Sequence, residues 1–200
     1  MKKVLIGLLI AVGATSVAIA QGNPEAGQPL SAVCGACHGA DGNSLAPTWP
    51  KLAGQSQQYL LKQMHDIKDG NRNVAQMAGL LTNLSDQNLE DIAAYFASQS
   101  TVVGQADPAL VEAGKNLYRD GNPKTGVPAC MACHGPAGQG LNSAAFPKLG
   151  GQHADYTASQ LTMFQSGERN NDAAKIMQNI AFKMNNKEIE AVSSYIQGLY

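Results

Sequence analysis

Apolar positions in this chain fall into two regimes. Val4 to Ala20 contains only apolar, small or hydroxyl residues, whereas the rest alternates short amphipathic segments with polar, glycine- and proline-bearing stretches. The segments have helical spacing. Pro24 to Val33 predicts a first helix, and Gln55 to about Lys68 a second, stopped by Gly70. Ser85 reads as the N-cap of a helix from Asp86 to Ser98, with Ile92, Tyr95 and Phe96 on one face. Pro108 to Arg119, Gln152 to Ser166 and Asn186 to Gly198 predict three more helices. Pro108 stands at a helix start, where its missing N–H costs nothing. Gly39 to Gly54 reads as a loop. The expected class is all-α, with domains at 21–100 and 108–200 joined by a polar linker at 101–107.

All four cysteines lie in two short stretches, Cys34-Gly35-Ala36-Cys37-His38 and Cys130-Met131-Ala132-Cys133-His134. Each reads C-x-x-C-H, the pattern for covalent attachment of a c-type haem. Two thiols three positions apart reach the two vinyl groups on one porphyrin edge as thioethers. The adjacent imidazole then faces the iron as proximal ligand. Two other readings compete. Paired thiols in an oxidising compartment tend to close as disulfides, but that leaves unexplained the histidine after both pairs. A four-thiolate zinc site joins pairs about 15 to 20 residues apart, far closer than the 96 found here. Two covalently bound haem c groups are the expected cofactors, held by Cys34 and Cys37, and by Cys130 and Cys133.

The chain is a tandem duplication. His38 and His134 are 96 apart, while Pro50-Lys51-Leu52-Ala53-Gly54-Gln55 and Pro147-Lys148-Leu149-Gly150-Gly151-Gln152 are offset by 97, as are Tyr59 and Tyr156. Tyr95 and Tyr195 are 100 apart, and Glu25-Ala26-Gly27 precedes Glu112-Ala113-Gly114 by 87, so repeat two carries an insertion around Asp120–Val127. Each copy is small, and a bound macrocycle is expected to supply much of its buried apolar surface.

The repeat also selects a second axial ligand. Met64, Met131, Met163 and Met184 align with Leu161, Gly35, Asp66 and Leu84, whereas Met77 and Met177 align with each other. A lone methionine is usually plastic core packing, and paired occurrence after the haem motif favours ligation. His65 and His153 align with Thr162 and Ser56, so neither is repeated, and both read as surface or structural. The expected iron ligands are His38 with Met77 and His134 with Met177. The carbonyls of Pro50 and Pro147 either accept the Nδ1–H of these imidazoles or belong to simple turns. Trp49, Tyr59, Tyr95, Tyr156 and Tyr195 are expected to wall the haems.

Lys2 and Lys3 before the apolar run, and Ala18-Ile19-Ala20 at its end, mark a signal peptide on residues 1–20, cleaved after Ala20. A retained anchor is the competing reading, since about 17 to 25 apolar residues span a bilayer, but Gly7, Gly13, Thr15 and Ser16 dilute the stretch. Export to the periplasm is expected. Without the leader lysines, the 14 basic residues fall to 12 against 15 acidic ones, a net charge of −3. No basic footprint for nucleic acid remains. Residues 21–102 carry seven acids and four bases and 103–200 eight of each, an asymmetry that can orient diffusional encounter.

These motifs, with Asp41-Gly42-Asn43-Ser44, Tyr59-Leu60-Leu61-Lys62, Leu84-Ser85-Asp86 and Ile189 to Ile196, give a sequence that resembles the cytochrome c4 family over essentially all of 21–200. The resemblance implies two tandem cytochrome c class I domains related by a pseudo-twofold axis, with haem propionate edges facing each other. It implies His38, Met77, His134 and Met177 as axial ligands, and tips Pro50 and Pro147 toward the histidine hydrogen bond. It implies a periplasmic carrier of single electrons between membrane respiratory complexes, with a haem-copper terminal oxidase as acceptor and peripheral membrane association. Two alternatives are the cytochrome subunit of a flavocytochrome dehydrogenase and a dihaem peroxidase. The stretch between Gly70 and Met77 is short for the family and bears on the first site.

Overall fold

A computed structural model describes residues 22–200. The expected leader and its cleavage site lie outside them. The first half contains α1 (Pro24–Leu30), α2 (Gly35–His38), α3 (Gln57–Lys68) and α4 (Asp86–Ala97). The second contains α5 (Val111–Asp120), α6 (Met131–His134), α7 (Ala154–Ser166), α8 (Ile176–Ala181) and α9 (Asn186–Gln197). Among the described residues there are no strands, only isolated bridges at Asn122–Val127 and Leu141–Phe146. The all-α expectation is met. No helix among the described residues is long and apolar enough to cross a membrane.

Each half is built the same way. The first helix crosses the last, α1 on α4 and α5 on α9, and the long middle helix packs on the last, α3 on α4 and α7 on α9. Leu60, Ile92, Ala93 and Phe96 form the first core, with Cys34, Leu52 and Met64 packed against it. Leu117, Tyr118, Val127, Leu161, Met184, Ile189, Val192, Ile196 and Leu199 form the larger second core. The insertion accounts for part of the difference. It folds back on itself through Asn122 N–H to Val127 O (2.8 Å) and Val127 N–H to Asn122 O (3.1 Å), which delivers Val127 to the core.

The last helices begin at reciprocal capping boxes. Ser85 accepts from Asn88 N–H while the Asn88 side chain accepts from Ser85 N–H, and Asn185 and Glu188 do the same at α9. Ser85→Ala and Asn185→Ala are each expected to cost about 1 kcal/mol of stability, measured as a lowered thermal midpoint. No change in either variant would show that the boxes are redundant with tertiary packing.

Three starts differ from expectation. The fifth helix begins at Val111 rather than Pro108, because the Asp107 side chain accepts from Ala109 N–H at 2.9 Å and holds a separate turn first. Gln55 and Gln152 lie outside α3 and α7, since each side chain is engaged elsewhere. Met177 sits in the unanticipated α8, reached through Ala174 and Lys175 at positive φ (52° and 57°). Such backbone is strained in non-glycine residues. Asp172 secures it, its Oδ2 accepting from Met177 N–H at 2.7 Å and its Oδ1 from Gln178 Nε2 at 2.6 Å.

The two halves meet through reciprocal contacts in which each partner is replaced by its counterpart 97 positions away, the mark of a pseudo-twofold axis. Gln152 Oε1 accepts from Lys51 N–H (2.9 Å) and Gln152 Nε2 donates to Lys51 O (2.9 Å). Gln55 does the same to Lys148, at 2.7 and 2.9 Å. Residues of the expected linker lie over these pairs. Lys51 Nζ donates to Val102 O, and Lys148 Nζ donates to Thr101 Oγ1 at 2.7 Å.

Candidate haem-attachment sites

In each half the C-x-x-C-H stretch forms a single helical turn that ends on glycine at φ 80°, Gly39 or Gly135. One turn of helix puts residues three apart on one face, so Cys34 and Cys37, like Cys130 and Cys133, point the same way. None of the four is paired in a disulfide. The first of each pair is half-buried and the second exposed. Burial raises the pKa of the Cys34 thiol and pushes that of Cys130 up to about 11.

The histidines are held more tightly. His38 is 7 % exposed and His134 6 %. His38 Nδ1 lies 2.9 Å from Pro50 O, and His134 Nδ1 lies 2.9 Å from Pro147 O. A carbonyl only accepts, so Nδ1 carries the hydrogen, and in the neutral ring Nε2 keeps its lone pair. Burial lowers both imidazole pKa values, against the opposing pull of the proline carbonyls. The result in each half is an imidazole that engages Nδ1 and leaves Nε2, beside two thiols on one helical face. That donor set fits a covalently attached haem. It does not fit the zinc reading, because among the described residues no three His, Cys, Asp or Glu side chains converge on one point.

The methionines are placed less symmetrically than their alignment. Met77 is half-buried at the end of a single 3-10 turn, Ala75–Met77. Met177, also half-buried, packs against the second core together with Cys130. Among the rivals, Met64 and Met131 pack against the cores and Met184 lies within one. His153 is committed elsewhere, its Nε2 standing 2.9 Å from Ser44 O and 3.0 Å from Ser44 Oγ across the interface.

Two of the aromatic residues expected at the haems belong to a polar cluster between the halves. Arg169, 6 % exposed, donates to Tyr59 Oη (2.9 Å), Gln63 Oε1 (3.1 Å) and Gln160 Oε1 (2.8 Å). Arg72 donates to Tyr156 Oη (3.1 Å), Gln160 Oε1 (2.9 Å) and Gln63 Oε1 (2.9 Å). Each arginine thus reaches the tyrosine of the other repeat. Burial opposes ionisation of Tyr59, yet the charges of Arg169, Arg72 and Lys62 outweigh it and hold the phenol below its usual pKa. Burial likewise opposes the Arg72 charge, but Tyr156, Tyr59 and Asp66 keep its pKa above the ordinary value. Sequence reasoning missed these arginines and glutamines. Their signal was present, since Gln63 and Gln160, like Arg72 and Arg169, are identical residues 97 apart.

Comparison with known proteins extends both repeats. The family described as Cytochrome c matches residues 24–100 and again 111–200. Cytochrome c4 of Pseudomonas aeruginosa is 62 % identical over 201 residues, covering 100 % of both chains. A thiosulfate dehydrogenase electron acceptor of Stutzerimonas stutzeri is 36 % identical over 172 residues, 84 % of this chain and 79 % of that one. The crystal structure of reduced recombinant cytochrome c4 from Pseudomonas stutzeri superposes with a TM-score of 0.88 at 58 % identity, covering 90 % of this chain and 100 % of that one. Similarity of that extent takes in both attachment motifs and the packing of one repeat on the other, and the chain belongs to the cytochrome c4 family, dihaem electron carriers rather than enzymes.

Proposed function

We propose that the protein is exported, loses residues 1–20 after Ala20, and works in the periplasm as two haem domains, 21–100 and 108–200, joined by 101–107. It takes single electrons from a membrane respiratory complex and delivers them to a haem-copper terminal oxidase, docking at the membrane face. When bound, each haem supplies an iron that passes between ferric and ferrous states one electron at a time. His38 and Met77 hold one iron, and His134 and Met177 the other.

The observation that carries this reading is the way the histidines are held. Each buried ring donates Nδ1–H to a proline carbonyl, which leaves Nε2 for a metal, and burial disfavours the charged form. That hydrogen bond orients the ring and raises its basicity. A methionine thioether opposite imidazole raises the reduction potential, which suits delivery to an oxidase. The guanidinium groups of Arg72 and Arg169, between the halves with Lys62 and Asp66, would supply positive charge for haem propionates. A second reading of the donor, a sulfur-compound dehydrogenase, has support from the relative named as a thiosulfate dehydrogenase electron acceptor.

Carbon monoxide tests the ligand set. The intact ferrous protein is expected to bind it poorly at neutral pH, and Met77→Ala and Met177→Ala each to admit one equivalent rapidly. Rapid binding of two equivalents to the unsubstituted protein would overturn the methionine assignment. Oxidation of the reduced protein by oxidase-containing membranes tests the acceptor, and failure to turn over would remove it.

A further inference from the structure

The glutamines that close the repeated Pro-Lys-Leu-x-Gly-Gln motif have a geometry that interface packing alone does not require. The oxygen of Pro50 and the N–H of Lys51 belong to one peptide group. On one side that group accepts from His38 Nδ1 at 2.9 Å, and on the other it donates to Gln152 Oε1 at 2.9 Å. The mirror arrangement joins His134 Nδ1 to Pro147 O at 2.9 Å and Lys148 N–H to Gln55 Oε1 at 2.7 Å. A single peptide plane therefore separates each haem-motif imidazole from a side chain of the other domain. Both glutamines are buried, Gln55 at 7 % and Gln152 at 8 % exposure.

The orientation of each amide is determined by its partners. Gln152 Oε1 also accepts from His153 N–H at 3.0 Å, and Gln55 Oε1 from Ser56 N–H at 2.8 Å. Each Nε2 donates to a carbonyl, Lys51 O or Lys148 O. Flipping either amide would set its NH2 against two N–H donors, so oxygen faces the relay in both halves.

We propose that Gln55 and Gln152 are positioning residues that set the reduction potential of the haem in the opposite domain. The proposal rests on the reading of His38 and His134 as iron ligands. An oxygen accepting from the Lys51 N–H polarises the peptide and makes Pro50 O a stronger acceptor. That acceptor draws more strongly on Nδ1–H, and the imidazole becomes a stronger donor at Nε2. A stronger donor favours ferric iron, so Gln152 lowers the potential of the haem attached at Cys34 and Cys37. Gln55 lowers that of the haem attached at Cys130 and Cys133. Each domain tunes its neighbour, and domain docking is part of the redox setting rather than only a scaffold for it.

The test is crossed. Gln152→Leu and Gln55→Leu are made separately in the full dihaem protein, and each haem is titrated individually by following its own methyl resonances in NMR. Gln152→Leu is expected to shift the Cys34/Cys37 haem toward ferrous by three- to tenfold in its equilibrium constant, roughly 30 to 60 mV at about 59 mV per tenfold for one electron. The other haem moves less, and Gln55→Leu gives the mirror result. The His38 Nδ1–H resonance of the reduced protein moves upfield in Gln152→Leu as its hydrogen bond weakens. Equal shifts of both haems in either variant, or a larger shift in the glutamine's own domain, would reduce these residues to interface packing. Should the leucine variants fail to fold, Gln152→Glu and Gln55→Glu keep the acceptor oxygen. Their opposite-domain haem is then expected to shift further toward ferric than the same-domain haem, and equal shifts again overturn the proposal. Failure of the underlying ligand assignment would appear separately, as the absence of histidine–methionine spectra in the unsubstituted protein.

Discussion

Gly114→Ala is expected to destabilise the second domain by about 3 kcal/mol or more, read as a fall in its thermal midpoint and in the yield of haem-loaded protein. In a helix interior this exchange ordinarily gains about 1 kcal/mol. Here the sign is reversed by what lies opposite. A Cβ at position 114 would stand 2.2 Å from the Ala191 carbonyl oxygen and 2.6 Å from Tyr195 Cβ. The obstacle is backbone of α9, which cannot swing aside as a side-chain tip would, so α5 and α9 must separate. Overpacking of a closed core costs about 1 to 3 kcal/mol and sometimes more. The separation would also loosen Val192 and Ile196, both in the second core. Gly27→Ala is the same experiment in the first domain, with the Asp91 oxygen 2.0 Å from the added carbon. A neutral or stabilising result in both would mean that the first and last helices do not cross as closely as these distances require.

Arg169→Met should weaken the union of the two domains by about 3 kcal/mol, and it should split a single cooperative unfolding transition into two in calorimetry. The guanidinium is buried and makes charge-assisted bonds across the interface to Tyr59 and Gln63, while stacking 4.4 Å from the centre of the Phe164 ring. Hydrogen bonds to charged groups contribute about 1.5 to 3 kcal/mol each. The loss is smaller than their sum, because Gln63 Oε1 retains Arg72 Nη1 (2.9 Å) and Asn171 Nδ2 (3.0 Å). Methionine fills comparable volume, so the effect reports the polar network rather than a cavity. Unfolding that stays single and unshifted would show the arginines to be dispensable for docking. Tyr59→Phe, combined with Arg169→Met, measures the pair itself, and a coupling near zero would place the energy in the glutamines.

The attachment motifs were legible because their chemistry is local. Three-residue spacing puts two thiols on one helical face whatever surrounds them, and the histidine follows directly. The helices were legible for the same reason, from caps such as Ser85 and from apolar spacing. Misjudged starts fall where distant groups intervene. Gln55 and Gln152 fall within helical patterns, but their side chains bond the other repeat and their oxygens hold the next N–H before each helix begins. α8 was missed because the segment carrying Met177 depends on Asp172 and on strained backbone at Ala174 and Lys175, neither of which shows in apolar periodicity.

By itself, the sequence determined that there are two corresponding haem-binding units, which residues attach the cofactors, and which positions match between the copies. It showed that Gln152 matches Gln55, and it holds an unread match of Arg169 with Arg72, but it does not say whether each bonds its own repeat or the other. Within one copy and across a pseudo-twofold axis the same pairs of residue types are available, so identity at a fixed offset cannot choose between them. Only the packing of one half on the other decided it. Lys51 meets Gln152, Lys148 meets Gln55 and each arginine reaches the opposite tyrosine. Contacts between residues about a hundred positions apart are set by the buried shape of the whole, which no local pattern encodes.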